Sequence, residues 1–119
     1  MWKQRLNSFK YAFKGIGDLF RSTPNARIHA FVAIVVIIAG FIFDISRMEW
    51  VALSITMAMV LSAEAFNTAI EYLTDLVSPD YHQLAGKTKD AAAGAVLLTA
   101  IGAVIVGLLI FLPKLLALF

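Results

Sequence analysis

Apolar residues along the chain gather into three long runs, and a fourth segment carries them at helical spacing instead. The first run occupies residues 28–43. The second begins at Trp50, stays apolar to Ala63 and continues as a mixed helix to about Val77, and the third covers 91–112. Each reaches or approaches the ~20 residues that a spanning helix needs. The pattern therefore predicts three transmembrane helices at about 28–45, 50–77 and 91–112, the first completed by residues flanking its core. Ahead of them, Trp2, Leu6, Phe9, Phe13, Ile16 and Phe20 recur at spacings of three and four, with Lys3, Lys10, Lys14 and Arg21 off that stripe. This predicts an amphipathic surface helix over about 2–21, its aromatic face among acyl chains and its lysines near headgroups. Packing of the same stripe against the other helices is the alternative.

Polar segments separate the runs. Residues 44–49 read as a tight turn. Residues 78–90 read as a longer flexible loop, punctuated by Pro79 and Gly86 as helix stops and turns require. Composition agrees with the membrane reading: 61% of the 119 residues are hydrophobic and 15% charged, against about 25% charged in soluble domains. A chain of this length fits one domain, here 1–119, and an all-α membrane fold. The basic, mixed residues 1–27 do not look like a cleavable signal. The absence of cysteine excludes disulfides and cysteine-held metals, and a net charge of +2 is too small to indicate nucleic acid.

Charge distribution says more than its total. Lys3, Arg5, Lys10, Lys14, Arg21 and Arg27 precede the first span, and Lys87 and Lys89 lie in the second loop, whereas the opposite side has Arg47 and Lys114. The positive-inside rule places the N-terminus and residues 78–90 in the cytoplasm. In the third span Ala91, Ala95, Thr99, Ala103 and Gly107 form a ridge of small residues that lets helices approach closely in lipid. With three spans per chain, a homo-oligomer is expected.

The second helix carries the chemistry. Glu64, Asn67, Glu71 and Asp75 fall at i, i+3, i+7 and i+11 on one face. From Trp50 to Asp75 the helix would be roughly 38 Å long, longer than the ~30 Å hydrocarbon core, so the stripe would begin near the membrane boundary and rise out of it. Three acids on one face repel unless a cation lies between them. Loop lysines or a divalent ion would serve, and oxygen-only ligands suit Mg²⁺. With Lys89 and Asp90 following, these are parts that phosphoryl transfer uses. From spacing alone, a polar seam or a proton or cation path explains the stripe as well. His29 and His82 at helix ends more often make hydrogen bonds than bind ligands. Asp75 reads as a functional carboxylate that supports the site, although a salt bridge to Lys87 or Lys89 would account for it too.

The block Glu64-Ala-Phe-Asn67-Thr-Ala-Ile-Glu71-Tyr-Leu-Thr-Asp75, then Tyr81-His82 and Gly86-Lys-Thr-Lys89-Asp90, closely resembles the signature of the prokaryotic diacylglycerol kinase family, which includes the undecaprenol kinases. Tyr11-Ala-Phe-Lys-Gly15, Asn25-Ala-Arg-Ile-His29 and the 107–114 tail extend the resemblance over nearly the whole chain. It implies a trimeric enzyme of the bacterial inner membrane that moves the γ-phosphate of ATP, with Mg²⁺, to a membrane lipid alcohol, diacylglycerol or undecaprenol. The 91–96 run and the tail look more like the undecaprenol kinases. By position, Glu64 would be the general base and Glu71 the metal-binding carboxylate. Asn67 would support that site, and Tyr11, Asp80, Tyr81, His82, Lys89 and Asp90 would contact the nucleotide. Two positions depart from the pattern. Thr23 stands where the family carries a second metal-binding Glu, with Asp18 not obviously placed to replace it, and Gln4 stands where it carries Arg, with Arg5 adjacent. Two other readings therefore remain at this point, an impaired kinase and a non-enzymatic membrane conductor or scaffold.

Overall fold

The computed structural model describes residues 1–119 as four helices, α1 (Trp2–Ser22), α2 (Pro24–Ile42), α3 (Arg47–Val77) and α4 (Gln83–Leu116). The last three are long and apolar enough to cross a membrane. α3 and α4 form the principal pair and run antiparallel, tied by Lys114 to Glu49 at one end and by Lys89 to Asp75 at the other. α2 packs on α3 and does not meet α4.

Helix boundaries follow local chemistry. Thr23 is extended (φ −118°, ψ 104°) and precedes Pro24. Proline disfavours helical backbone in the residue before it but suits the first turn of a helix. The chain therefore bends there and restarts at once. α2 ends at Ile42, short of residue 45, because Asp44 takes a left-handed φ of 48°, a conformation that Asp tolerates better than bulkier residues. The turn after it is shorter than 44–49. Ser46 caps α3 through the Glu49 N–H, and the Glu49 side chain accepts from the Ser46 N–H, a reciprocal box that starts the helix at Arg47.

The largest departure from expectation is the second loop. α4 begins at Gln83, eight residues before the expected Ala91, and the connection shrinks to residues 78–82. Gly86 is helical, its N–H donating to the His82 carbonyl at 3.0 Å. Glycine tolerates a helix interior at modest cost, and the His82 ring supplies the cap by accepting from the Leu84 N–H at 3.1 Å. Lys87, Lys89 and Asp90 are thus on helical turns, with positions fixed by α4. At its far end α4 runs on past 112 through Pro113 to Leu116.

Only 11 of 119 residues are buried, so the apolar surface of α2 and α4 needs a bilayer or further chains to cover it. The α1 stripe is also open, with Trp2, Leu6, Phe9 and Phe13 exposed and Leu19 buried. The one compact cluster lies at the end remote from α1, where Ile45, Leu53 and Ile110 are surrounded by Val36, Phe43, Trp50 and Phe111. Phe41 stacks obliquely on Trp50 at 4.9 Å.

Gly40 permits that cluster. A Cβ there would stand 2.5 Å from the Trp50 ring, inside any van der Waals contact. Gly40→Val is expected to lower unfolding stability in detergent micelles by about 1–3 kcal/mol, the usual cost of overpacking. Trp50→Leu in the same chain should restore part of the loss, and an unchanged melting point in Gly40→Val would contradict this packing.

Candidate active site

The site is assembled where the α1–α2 elbow meets the middle of α3. Thr23 closes α1 by donating its N–H to the Leu19 carbonyl at 3.0 Å, and its hydroxyl lies 3.2 Å from that of Thr68 on α3. Leu19 and Ala26, both buried, seat the elbow. A second tie lies beside it. The Tyr72 hydroxyl donates to the Asp18 carboxylate at 2.9 Å and stands 3.1 Å from the Ser22 hydroxyl, whose own proton goes to the Asp18 carbonyl.

From this elbow α2 carries His29 to Glu64. Glu64 is 1% exposed, the most deeply buried of the large side chains. The His29 Nε2 is 3.1 Å from Glu64 Oε1, but the ring N–H does not point along that line, so Oε1 has a close neighbour and no hydrogen bond. A carboxylate removed from water without a donor is costly, and intramembrane acids of this kind mark function more often than architecture.

The stripe changes character beyond Glu64. Asn67 offers its amide N–H₂ to Glu71 Oε1 at 3.4 Å, while its own Oδ1 is buried without a partner. Glu71 and Asp75 are exposed. Asp75 accepts from Lys89 at 2.6 Å. Both members of that pair are largely open to water, so it contributes little stability and mainly positions the lysine. Lys89 lies on the turn before the apolar part of α4. The hydrogen bond that Lys89 donates to Asp75, helped by the charges of Asp75 and Glu71 and opposed by desolvation, holds its ammonium above the usual lysine range. The side chain therefore stays cationic throughout the neutral range.

The other expected residues are not drawn together by one chain. Tyr11, Asp80, Tyr81 and Asp90 are exposed. The His82 ring is occupied in capping α4, and it borders a cleft of about 460 Å³ between the ends of α3 and α4, with Thr74, Ser78 and Thr88. No three carboxylates or histidines converge as a protein-only metal cage would require. A separate groove of about 390 Å³ runs down the gap between α2 and α4, floored by α3. Its lining is apolar, including Val32, Val36, Met57 and Val60, and His29 stands at its polar end.

The profile for prokaryotic diacylglycerol kinase matches residues 10–111. The chain belongs to the prokaryotic diacylglycerol kinase family. It is 44% identical over 108 residues to the undecaprenol kinase of Bacillus subtilis, covering 91% of this chain and 88% of that protein. It is 45% identical over 114 residues to the diacylglycerol kinase of Synechocystis, covering 95% of this chain but 65% of the longer relative. The diacylglycerol kinase of Escherichia coli is 28% identical over 95 residues, with 80% of this chain and 78% of that protein covered.

Within this kinase family member, sequence reasoning underweighted His29 and omitted Thr68 and Tyr72. Thr68 was accessible, lying four residues after Glu64 on the same face. Tyr72 and His29 act through contacts with α1 and across to α3, which helical periodicity does not encode. Tyr72→Phe is expected to raise amide hydrogen exchange in the last turns of α1 about 2- to 10-fold, from one lost hydrogen bond, without change in α4. Uniform exchange across both helices would contradict a local tie.

Proposed function

We propose that this chain is a lipid kinase that transfers the γ-phosphoryl group of ATP to the hydroxyl of a membrane lipid alcohol, diacylglycerol or undecaprenol. The observation that carries the reading is Glu64, a buried carboxylate with an unpartnered oxygen, next to a histidine that borders an apolar groove. A lipid alcohol brings an apolar tail and one hydroxyl donor, and these match the groove and the orphaned acceptor. Glu64 takes the hydroxyl proton as the new O–P bond forms and the bond to the ADP leaving oxygen breaks, the role of a general base in phosphoryl transfer.

Glu71 is the carboxylate for Mg²⁺. The donor set fits, because the Asn67 Oδ1 beside it is a buried oxygen without a partner, and Mg²⁺ commonly takes one or two carboxylates and completes its shell with water and phosphate. When bound, the ion would neutralise phosphate charge. Lys89, held by Asp75, adds a second positive charge. Asp90, Asp80, Tyr81, His82 and Tyr11 complete the nucleotide contacts. Their exposure and scatter in one chain, with the uncovered faces of α2 and α4, support a homotrimer whose sites are completed between subunits. α1 lies on the cytoplasmic surface of the bacterial inner membrane, its open aromatic stripe in the lipid and its lysines toward headgroups.

Thr23 supports a second reading, a kinase with weakened metal binding. Its hydroxyl is engaged with Thr68 and brings no charge.

Purified protein in mixed micelles with labelled ATP and Mg²⁺ is expected to label diacylglycerol, undecaprenol or both. Absence of labelled lipid from either would overturn the proposal. Glu64→Gln should bind ATP normally and lose transfer by about 100-fold or more, whereas Glu71→Gln should weaken Mg-dependent nucleotide binding. Identical defects would argue against separate roles. A large rate gain at low Mg²⁺ in Thr23→Glu would support the weakened site, and no gain would leave the first reading standing.

A further inference from the structure

The mechanism above leaves one group beside the base unused. We propose that His29 is a positioning residue, whose Nε2–H holds the Glu64 carboxylate toward the end of the α2–α4 groove. The inference rests on the lipid-kinase reading for its catalytic consequence, but not for the contact itself.

Glu64 is 1% exposed, so water cannot orient its carboxylate freely. The neighbouring polar groups are committed elsewhere. The Thr68 hydroxyl faces Thr23, the Asn67 amide faces Glu71, and Lys89 is bound to Asp75. His29 is the one basic side chain within ion-pair distance of Glu64, at 3.1 Å. It is also 25% exposed and lines the groove, so it connects the buried carboxylate to the space an alcohol would occupy.

The distance is already that of a hydrogen bond and only the ring direction is not. Aligning the N–H with Oε1 asks for a reorientation of the ring or the carboxylate and for no longer reach. Hydrogen bonds in catalytic sites are often misaligned without substrate and tighten when it binds. The neutral tautomer with its proton on Nε2 is enough, because this role asks for a donor and not for titration. A glutamine amide supplies a donor at nearly the same reach. Alanine supplies none and leaves the carboxylate free to turn away from the incoming hydroxyl.

The test compares wild type, His29→Gln and His29→Ala with saturating Mg-ATP and lipid alcohol in mixed micelles. His29→Ala is expected to lower kcat about 10- to 100-fold, the usual result of removing a donor from a buried charge, with KM for ATP nearly unchanged. His29→Gln should recover most of that loss. A second measurement does not depend on turnover. The chain has two histidines, so ¹⁵N labelling of their rings gives a simple spectrum, and Glu64→Gln should shift the His29 ring nitrogens while leaving those of His82 in place. The proposal is overturned if His29→Ala retains full kcat, if His29→Gln is as defective as His29→Ala, or if the His29 nitrogens ignore Glu64→Gln. A wild type that phosphorylates no lipid would instead remove the kinase reading, and the ring spectra would still decide the contact.

Discussion

A carboxylate buried among apolar helices constrains everything around it. Glu64 lies well inside α3, and the elbow between α1 and α2 is fastened to that helix one turn away, at Thr68. Desolvating a carboxylate costs several kcal/mol when nothing compensates, a cost a fold of few contacts bears only where the group is used. The Thr23–Thr68 and Tyr72–Asp18 contacts keep the elbow on α3, and His29 is carried to Glu64 by the turn of α2 that follows. The bend at Thr23-Pro24 thus sets the direction in which α2 carries His29 toward the carboxylate.

The packing is distributed to match. At the end remote from α1, the close approach of Gly40 to Trp50, the Ile45, Leu53 and Ile110 cluster and the Lys114–Glu49 pair fasten α2, α3 and α4 together. α2 and α4 each pack on α3 and not on one another, and the apolar groove lies in the gap between them. Two helices held through a third leave space for a chain-like ligand without melting the bundle. In lipid this is inexpensive, since the bilayer covers apolar faces that water would not.

Much of this was legible in the sequence because helices in membranes declare themselves by length and composition. The three spans, the α1 stripe and the face shared by Glu64, Glu71 and Asp75 follow from periodicity alone. The Asp75–Lys89 pair was also readable, as one of two alternatives. What periodicity could not supply were the contacts between elements. Gly86 looked like a loop residue because glycine is a weak helix former, yet α4 extends through it once His82 caps the helix. His29 looked like an ordinary helix-end histidine, because its meaning lies in a distance to a residue 35 positions away. The closeness of Gly40 to Trp50 likewise exists only in the folded chain.

Thr23 joins these levels. Where the family resemblance implies a second acidic ligand, this chain has a neutral hydroxyl, and the structure gives that hydroxyl a partner in Thr68, one turn beyond Glu64. An added carboxylate at the elbow would stand where Thr23 meets Thr68, one turn from the buried Glu64, and like charges in a poorly solvated site raise the cost of ionising each. Threonine avoids that repulsion and fastens the elbow to α3. The substitution that most weakens the sequence match therefore has a coherent place in the structure.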